Sequence, residues 1–156
     1  MRRKLWRIPV WLLLITIAAA ATGAALLTFK QPTAQGPHCR GVAACFNDSV
    51  TYIVDGDTID VGSTRIRLSL VNSPEVGEPG YSEAKQFTSQ TCPVGTNALV
   101  DEDDGQTGGS YGRMVALVYC QETNLNAALL ASHNAVLLTY YCSVSEFADE
   151  TWTGCP

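Results

Sequence analysis

The run Val54-Asp55-Gly56-Asp57-Thr58-Ile59 sets two carboxylates on either side of a glycine. Downstream comes Arg65-Ile66-Arg67-Leu68-Ser69-Leu70-Val71-Asn72-Ser73-Pro74-Glu75, and later Tyr111-Gly112-Arg113. Together these segments supply oxygen ligands, a carboxylate and two guanidiniums. That inventory can hold a hard cation beside a phosphodiester and stabilise the charge that develops when water attacks phosphorus. Guanidiniums suit the task because they donate two parallel hydrogen bonds to phosphate oxygens and stay charged at any relevant pH. Each piece alone is ambiguous. An isolated Asp-Gly-Asp is ordinary turn chemistry, an arginine on a strand is ordinarily a solvated charge, and a glutamate after a proline is an ordinary loop residue.

Positioning elements can be read around these residues. Ser49–Val54 is β-prone, Asp55-Gly56 gives a hairpin signal, and Asp57–Val61 follows. Gly62-Ser63 turns the chain into a strand over Thr64–Val71. There Ile66, Leu68 and Leu70 alternate with Arg65, Arg67 and Ser69, so the arginines share the face opposite the aliphatics. Tyr81–Thr91 reads as a helix capped by Ser82, with Ala84, Phe87 and Thr88 on one face, and Pro93-Val94-Gly95 stops it. Asn97–Val100 is a short strand, Asp101–Ser110 a polar Gly-rich loop, and Met114–Cys120 an apolar strand. Leu125–His133 reads as a second helix, and a short third helix is possible over Val144–Ala148. The acidic run Asp101–Asp104 lacks the spacing of a 12-residue calcium loop and reads as a solvated turn. The pattern is that of a small mixed α/β (α+β) domain.

The three segments, in this order, resemble the staphylococcal nuclease (thermonuclease-like) family from about Val50 to Tyr141. The resemblance implies a five-stranded OB-fold β-barrel with two to three helices. It also implies that Arg67 and Arg113 contact the scissile phosphate and that Glu75 orients or deprotonates the attacking water. Asp57 and the Ser73 carbonyl would ligate calcium. The chain departs from the family where Asn72 replaces the usual aspartate. A neutral amide oxygen is still a calcium ligand, but fewer ligand charges mean weaker binding. Tyr111 matches a tyrosine near the bound nucleotide, and Tyr140 and Tyr141 fall where the family places aromatics near the base. Arg65 shares the face of Arg67 but matches no motif and is expected to be dispensable.

The chain divides near residue 30. Ile8–Phe29 is 22 uncharged residues, enough to span a hydrocarbon core of ~30 Å. Arg2, Arg3, Lys4 and Arg7 precede it, which places the N-terminus in the cytosol and the rest outside. The expected organisation is therefore an N-terminal transmembrane helix over 1–30, a linker over 31–37 and the barrel domain over 38–156. The localisation is then a single-pass cell-membrane protein, or a secreted one if Ala18-Ala19-Ala20 marks a cleaved signal. Beyond residue 30 there are five Lys/Arg and fifteen Asp/Glu, a net charge of −10. That is unusual for a chain that handles nucleic acid and implies weak non-specific affinity, with attraction focused at a small site.

All six cysteines (Cys39, Cys45, Cys92, Cys120, Cys142, Cys155) follow the apolar segment. An even number in a small exported domain suggests disulfides, and the absence of a CxxC pair argues against structural zinc. Six cysteines allow 15 pairings, and sequence does not fix which. The pairing expected here is Cys39–Cys45, Cys92–Cys120 and Cys142–Cys155, giving two short local loops and one cross-link inside the barrel. The expected partners are nucleic acid (DNA or RNA, in unpaired regions), calcium and the membrane, with no obligate protein partner. Two other classes remain open: an inactive OB-type module that binds single strands or peptides, and a calcium-stabilised structural surface domain.

Overall fold

A computed structural model describes residues 36–156. The expected membrane segment and most of the linker lie outside these residues. Among the described residues no helix is long and apolar enough to cross a membrane.

Alternating apolar positions build five main strands: β1 (Cys45–Ile53), β2 (Thr58–Val61), β3 (Thr64–Leu68), β5 (Asn97–Glu102) and β6 (Met114–Cys120). Two-residue strands β4 (Val71–Asn72), β7 (Thr123–Asn124) and β8 (Val136–Leu137) complete the set. The main strands follow the order β3-β2-β1-β5-β6, and a parallel β3–β6 pairing closes the barrel. Closure hides the edges that an open sheet would leave unpaired. Ile59, Val61, Ile66, Leu68, Val100, Ala116 and Val118 fill the interior, and Leu125 and Leu129 of α2 (Leu125–Ala131) pack onto it. A second apolar cluster joins Leu70, Leu117, Tyr119 and Phe147. Phe147 is fully buried, which stabilises the C-terminal segment by about 1.5–3 kcal/mol.

The three disulfides pair as expected: Cys39–Cys45, Cys92–Cys120 and Cys142–Cys155. Cys92 caps α1 (Tyr81–Thr91) and Cys120 ends β6. That bridge closes a 28-residue separation, which on chain-entropy grounds contributes about 3–4 kcal/mol.

Several expectations are corrected. Strand β3 ends at Leu68, because Leu70 takes a left-handed conformation (φ 63°) before β4 begins. Ser69 is buried rather than on a polar face; its hydroxyl donates to Asp103 Oδ2 at 2.6 Å. Gly80, not Ser82, caps α1, and no side chain contributes to the cap. Helix α2 stops at Ala131, and no helix covers Val144–Ala148. A short 3-10 turn over Thr139–Ser143 stands just before that stretch. The strand read as Asn97–Val100 continues to Glu102 and takes in the start of the acidic run.

Candidate active site

The barrel seam sets the two arginines of interest side by side. In the β3–β6 pairing Ile66 lies opposite Met114 and Arg67 opposite Val115, so Arg113 enters β6 beside Arg67. On the other flank, Thr58 of β2 lies opposite Arg67, which brings Asp57 against the same guanidinium. Gly56 makes this turn possible by close approach. A Cβ there would meet the Ser73 and Ala84 side chains at 2.6 and 2.7 Å.

Asp57 is 3% exposed. Its Oδ2 accepts from the Ser73 backbone N–H (2.6 Å) and hydroxyl (3.1 Å), and its Oδ1 accepts from the Thr58 hydroxyl (3.1 Å). Arg67 Nε stands 3.3 Å from Oδ1. The rest of the Arg67 guanidinium donates to the carbonyls of Leu68 and Val71 and to Asn72 Oδ1 (3.0 Å). Burial pulls the Arg67 pKa below its usual value; Asp57 opposes that shift and Arg113 adds to it. Arg67 is thus a fixed and largely committed cation.

Arg113 differs. It donates to the Ser110 carbonyl (3.0 Å), the Ser110 hydroxyl (3.2 Å) and, at 3.5 Å, the Thr58 hydroxyl. All three acceptors are neutral, and among the described residues it has no carboxylate partner. The hairpin before it is tight. Ser110 and Arg113 exchange both backbone hydrogen bonds, and Tyr111 (φ 53°) and Gly112 (φ 78°) turn the corner. Two positive φ values in a row define a type I′ turn, whose first corner position favours Asn or Gly. A tyrosine held there costs about 1–2 kcal/mol. Its ring is 99% exposed, with the Arg113 guanidinium 6.0 Å from its centroid.

An open cleft of about 490 Å³ gathers most of the expected site. Arg67, Asn72, Glu75, Tyr111, Arg113 and Tyr141 all line it. Asp57 and Ser73 are buried behind it. Tyr140 is outside the lining, 83% exposed, with its ring edge-on to Tyr141 at 5.1 Å. Arg65 faces elsewhere, paired with Asp60 through two bonds of 2.7 and 2.9 Å.

The turn reading of Asp55 is incomplete. Its Oδ1 does accept the Asp57 backbone N–H at 3.0 Å, as a turn residue would. Yet burial first, then the charge of Asp57 and more weakly that of Glu75, push its carboxyl above the usual range. Three carboxylates therefore share one field. The repeated Asp-x-Asp spacing was the available signal for including Asp55. The donors here are all oxygens, which suits a hard divalent cation better than a thiophilic one. They are not drawn tightly together, however. Among the described residues, the three-member set of His, Cys or acidic donors within 4.8 Å of one another is Cys39, Cys45 and Asp101.

A closed five-strand barrel with two helices, carrying a guanidinium-lined cleft at its seam, is OB-type architecture. Residues 65–151 match the family described as Staphylococcal nuclease homologue, and the chain belongs to that family. The matched region contains Arg67, Asn72, Ser73, Glu75, Tyr111 and Arg113; Asp57 precedes it. The chain is also similar to a micrococcal nuclease of Shigella flexneri, at 32% identity over 63% of this chain. It spans 62% of that relative's length.

Proposed function

We propose that this domain is a calcium-dependent nuclease, hydrolysing phosphodiester bonds of DNA or RNA in unpaired strands outside the cytosol. The observation that carries the reading is the convergence of Arg67, Glu75 and Arg113 on one open cleft, with Arg113 free of any carboxylate among the described residues. Three disulfides and the basic-then-apolar leader in the sequence support export.

Asp57, Asn72 and the Ser73 carbonyl would hold the cation, with Asp55 adding charge behind them. Bound there, calcium would supply Lewis acidity and charge neutralisation at the phosphate. Glu75 is exposed at the cleft wall, where it can accept a proton from water and aim it at phosphorus. Arg113 donates its uncommitted N–H groups to the non-bridging oxygens as negative charge builds. Arg67 adds a second fixed positive charge, held by Asp57, Asn72 and two backbone carbonyls. Tyr111 and Tyr141 offer ring faces to unpaired bases at about 1–3 kcal/mol per stack, without reading sequence. The acidic remainder of the domain repels a polyanion, so binding away from the cleft is weak and falls further with salt.

Digestion of single-stranded DNA and RNA by the full chain, with calcium and with a chelator, tests the reading. Calcium-dependent cleavage supports it. No cleavage under either condition removes it, and calcium calorimetry then distinguishes an inactive binding module from a calcium-stabilised structural domain.

A further inference from the structure

The pairing of β1 with β5 places Cys45 directly opposite Asp101. Asp101 is fully buried. One carboxylate oxygen accepts the Arg40 backbone N–H at 2.8 Å, and the other has no partner among the described residues. A carboxylate oxygen of Asp101 lies within 4.8 Å of the sulfurs of both Cys39 and Cys45. A buried carboxylate oxygen without a partner is rare and calls for a reason. The disulfide beside it is asymmetric: Cys39 is exposed and Cys45 only partly so. Cys39 also lines a surface hollow of about 490 Å³ with His38, Asn47, Tyr119 and Gln121. An approaching thiol therefore reaches Cys39 from solvent, while the leaving sulfur of Cys45 faces Asp101. By contrast Cys92 and Cys120 are both buried, with no sulfur open to attack.

We infer that Cys39–Cys45 is an exchange-active disulfide that takes external dithiols as its substrate class, with Asp101 as the positioned proton donor to Cys45. One thiolate of the dithiol attacks Cys39 Sγ. The Cys39–Cys45 bond breaks, its electron pair leaves on Cys45 Sγ, and Cys45 takes the Asp101 proton. The second thiol of the dithiol gives its proton to the Asp101 carboxylate through water and attacks the mixed disulfide. Cys39 is released as a thiolate and takes a proton from solvent, replacing the one the first thiol gave up. The dithiol is oxidised to a cyclic disulfide by two electrons, and the protein gains two thiols. A proton delivered to the leaving sulfur lowers the barrier because leaving-group basicity limits exchange.

Burial pushes the Asp101 carboxyl above the usual range, so its protonated form persists to higher pH. The groups facing it are Arg40 from the disulfide loop, His38 just before it, Asp104 beyond β5, Tyr119 of β6 and Glu146 of the C-terminal segment. His38 and Arg40 oppose the shift and Asp104 adds to it. None of Cys39, Cys45 and Asp101 lines the cleft, so this inference stands apart from the nuclease reading.

The test is reduction of the full chain by dithiothreitol across a pH series, followed by alkylation and peptide mass spectrometry. Cys39–Cys45 should open first, and a monothiol trap should leave its adduct on Cys39. Per unit thiolate, the rate should fall as pH rises through the Asp101 titration. Asp101→Asn keeps an acceptor for Arg40 but has no carboxyl proton to give. It should slow opening by about 10²-fold, the lower end of what a placed general acid supplies, and flatten the profile. A wild-type profile already flat per unit thiolate, an adduct on Cys45, or an unchanged rate in Asp101→Asn each overturns the inference. The wild-type profile and adduct position remain decisive if the variant does not fold.

Discussion

Two acid-rich segments of this molecule look alike in sequence and behave differently. In the run Asp101–Asp104, carboxylates are turned onto backbone N–H groups. Asp101 accepts from Arg40, Glu102 from Ala44, and Asp104 from Val42 and Ala43. Asp103 accepts from Gly105 and Glu146 backbones and from Ser69 and Gln106 side chains. This run is a clamp on the Cys39–Cys45 loop and the C-terminal segment, not the solvated turn that its letters suggest. In the other segment, Asp55, Asp57 and Glu75 face one another beside an open cleft, and two guanidiniums share the space. The difference separates an acid cluster that holds the fold from the one proposed to serve catalysis. The first has its charges answered within the chain, one Asp101 oxygen apart; in the second Asp57 is answered by Arg67 and Ser73, while Glu75 and Arg113 stand open to the cleft.

The largest expected effect comes from removing the uncommitted cation of the cleft. Arg113→Ala should lower turnover by two to three powers of ten, the range of about 2.7–4 kcal/mol found for one transition-state donor. Because Arg113 bonds only neutral acceptors, thermal stability should barely move. A single-stranded DNA digestion assay beside a melting curve reads both. A large drop in melting temperature with little change in turnover would place Arg113 with the clamp rather than the cleft.

The clamp gives the converse. Asp104→Ala strips the acceptor from two backbone N–H groups, at 2.7 to 3.0 Å. Losing charge-assisted bonds of this kind should cost about 1–2 kcal/mol in urea unfolding. Turnover of the folded protein should stay as it was. Next in size is the proposed calcium site. Asn72 Oδ1 accepts from Arg67 at 3.0 Å, so the amide oxygen is shared between the arginine and any cation. Asn72→Asp adds a ligand charge and should tighten calcium binding by about tenfold in calorimetry. Unchanged affinity would mean that Asn72 serves only to fix Arg67.

How much of this was legible in the sequence depends on the range of the deciding contact. The bounds of α1 and β6 came out as read, because local pattern and stop signals set them. The disulfide pairing also held, two of its three bridges closing short local loops. What sequence missed turns on distant partners. Strand β3 ends at Leu68, and just beyond it Ser69 bonds Asp103 across the fold and Leu70 turns left-handed. The Asn126 side chain, buried on α2, accepts from Val118 and donates to the Ser69 and Ala116 carbonyls. Nothing in its own segment announces that role. Within the site, Arg67 was legible as a motif residue, but its commitment to two carbonyls and Asn72 depends on the bend after β3.

The smallest effect should come from Arg65, and it sharpens the contrast most directly. Arg65 and Arg67 stand two residues apart on one strand, so sequence assigns them one face and treats them as near equals. Arg65 is half exposed and bound at both ends of its fork by Asp60, a pair whose charges cancel and are screened by solvent. Its charge is therefore answered locally, as the clamp's charges are, although it stands on the strand that supplies the cleft. Arg65→Ala should leave both turnover and calcium affinity where they were, with the melting midpoint within error. If turnover instead falls as it does for Arg113→Ala, a carboxylate partner does not retire a guanidinium here. The division between answered and open charges would then have to be redrawn along the whole β3 face.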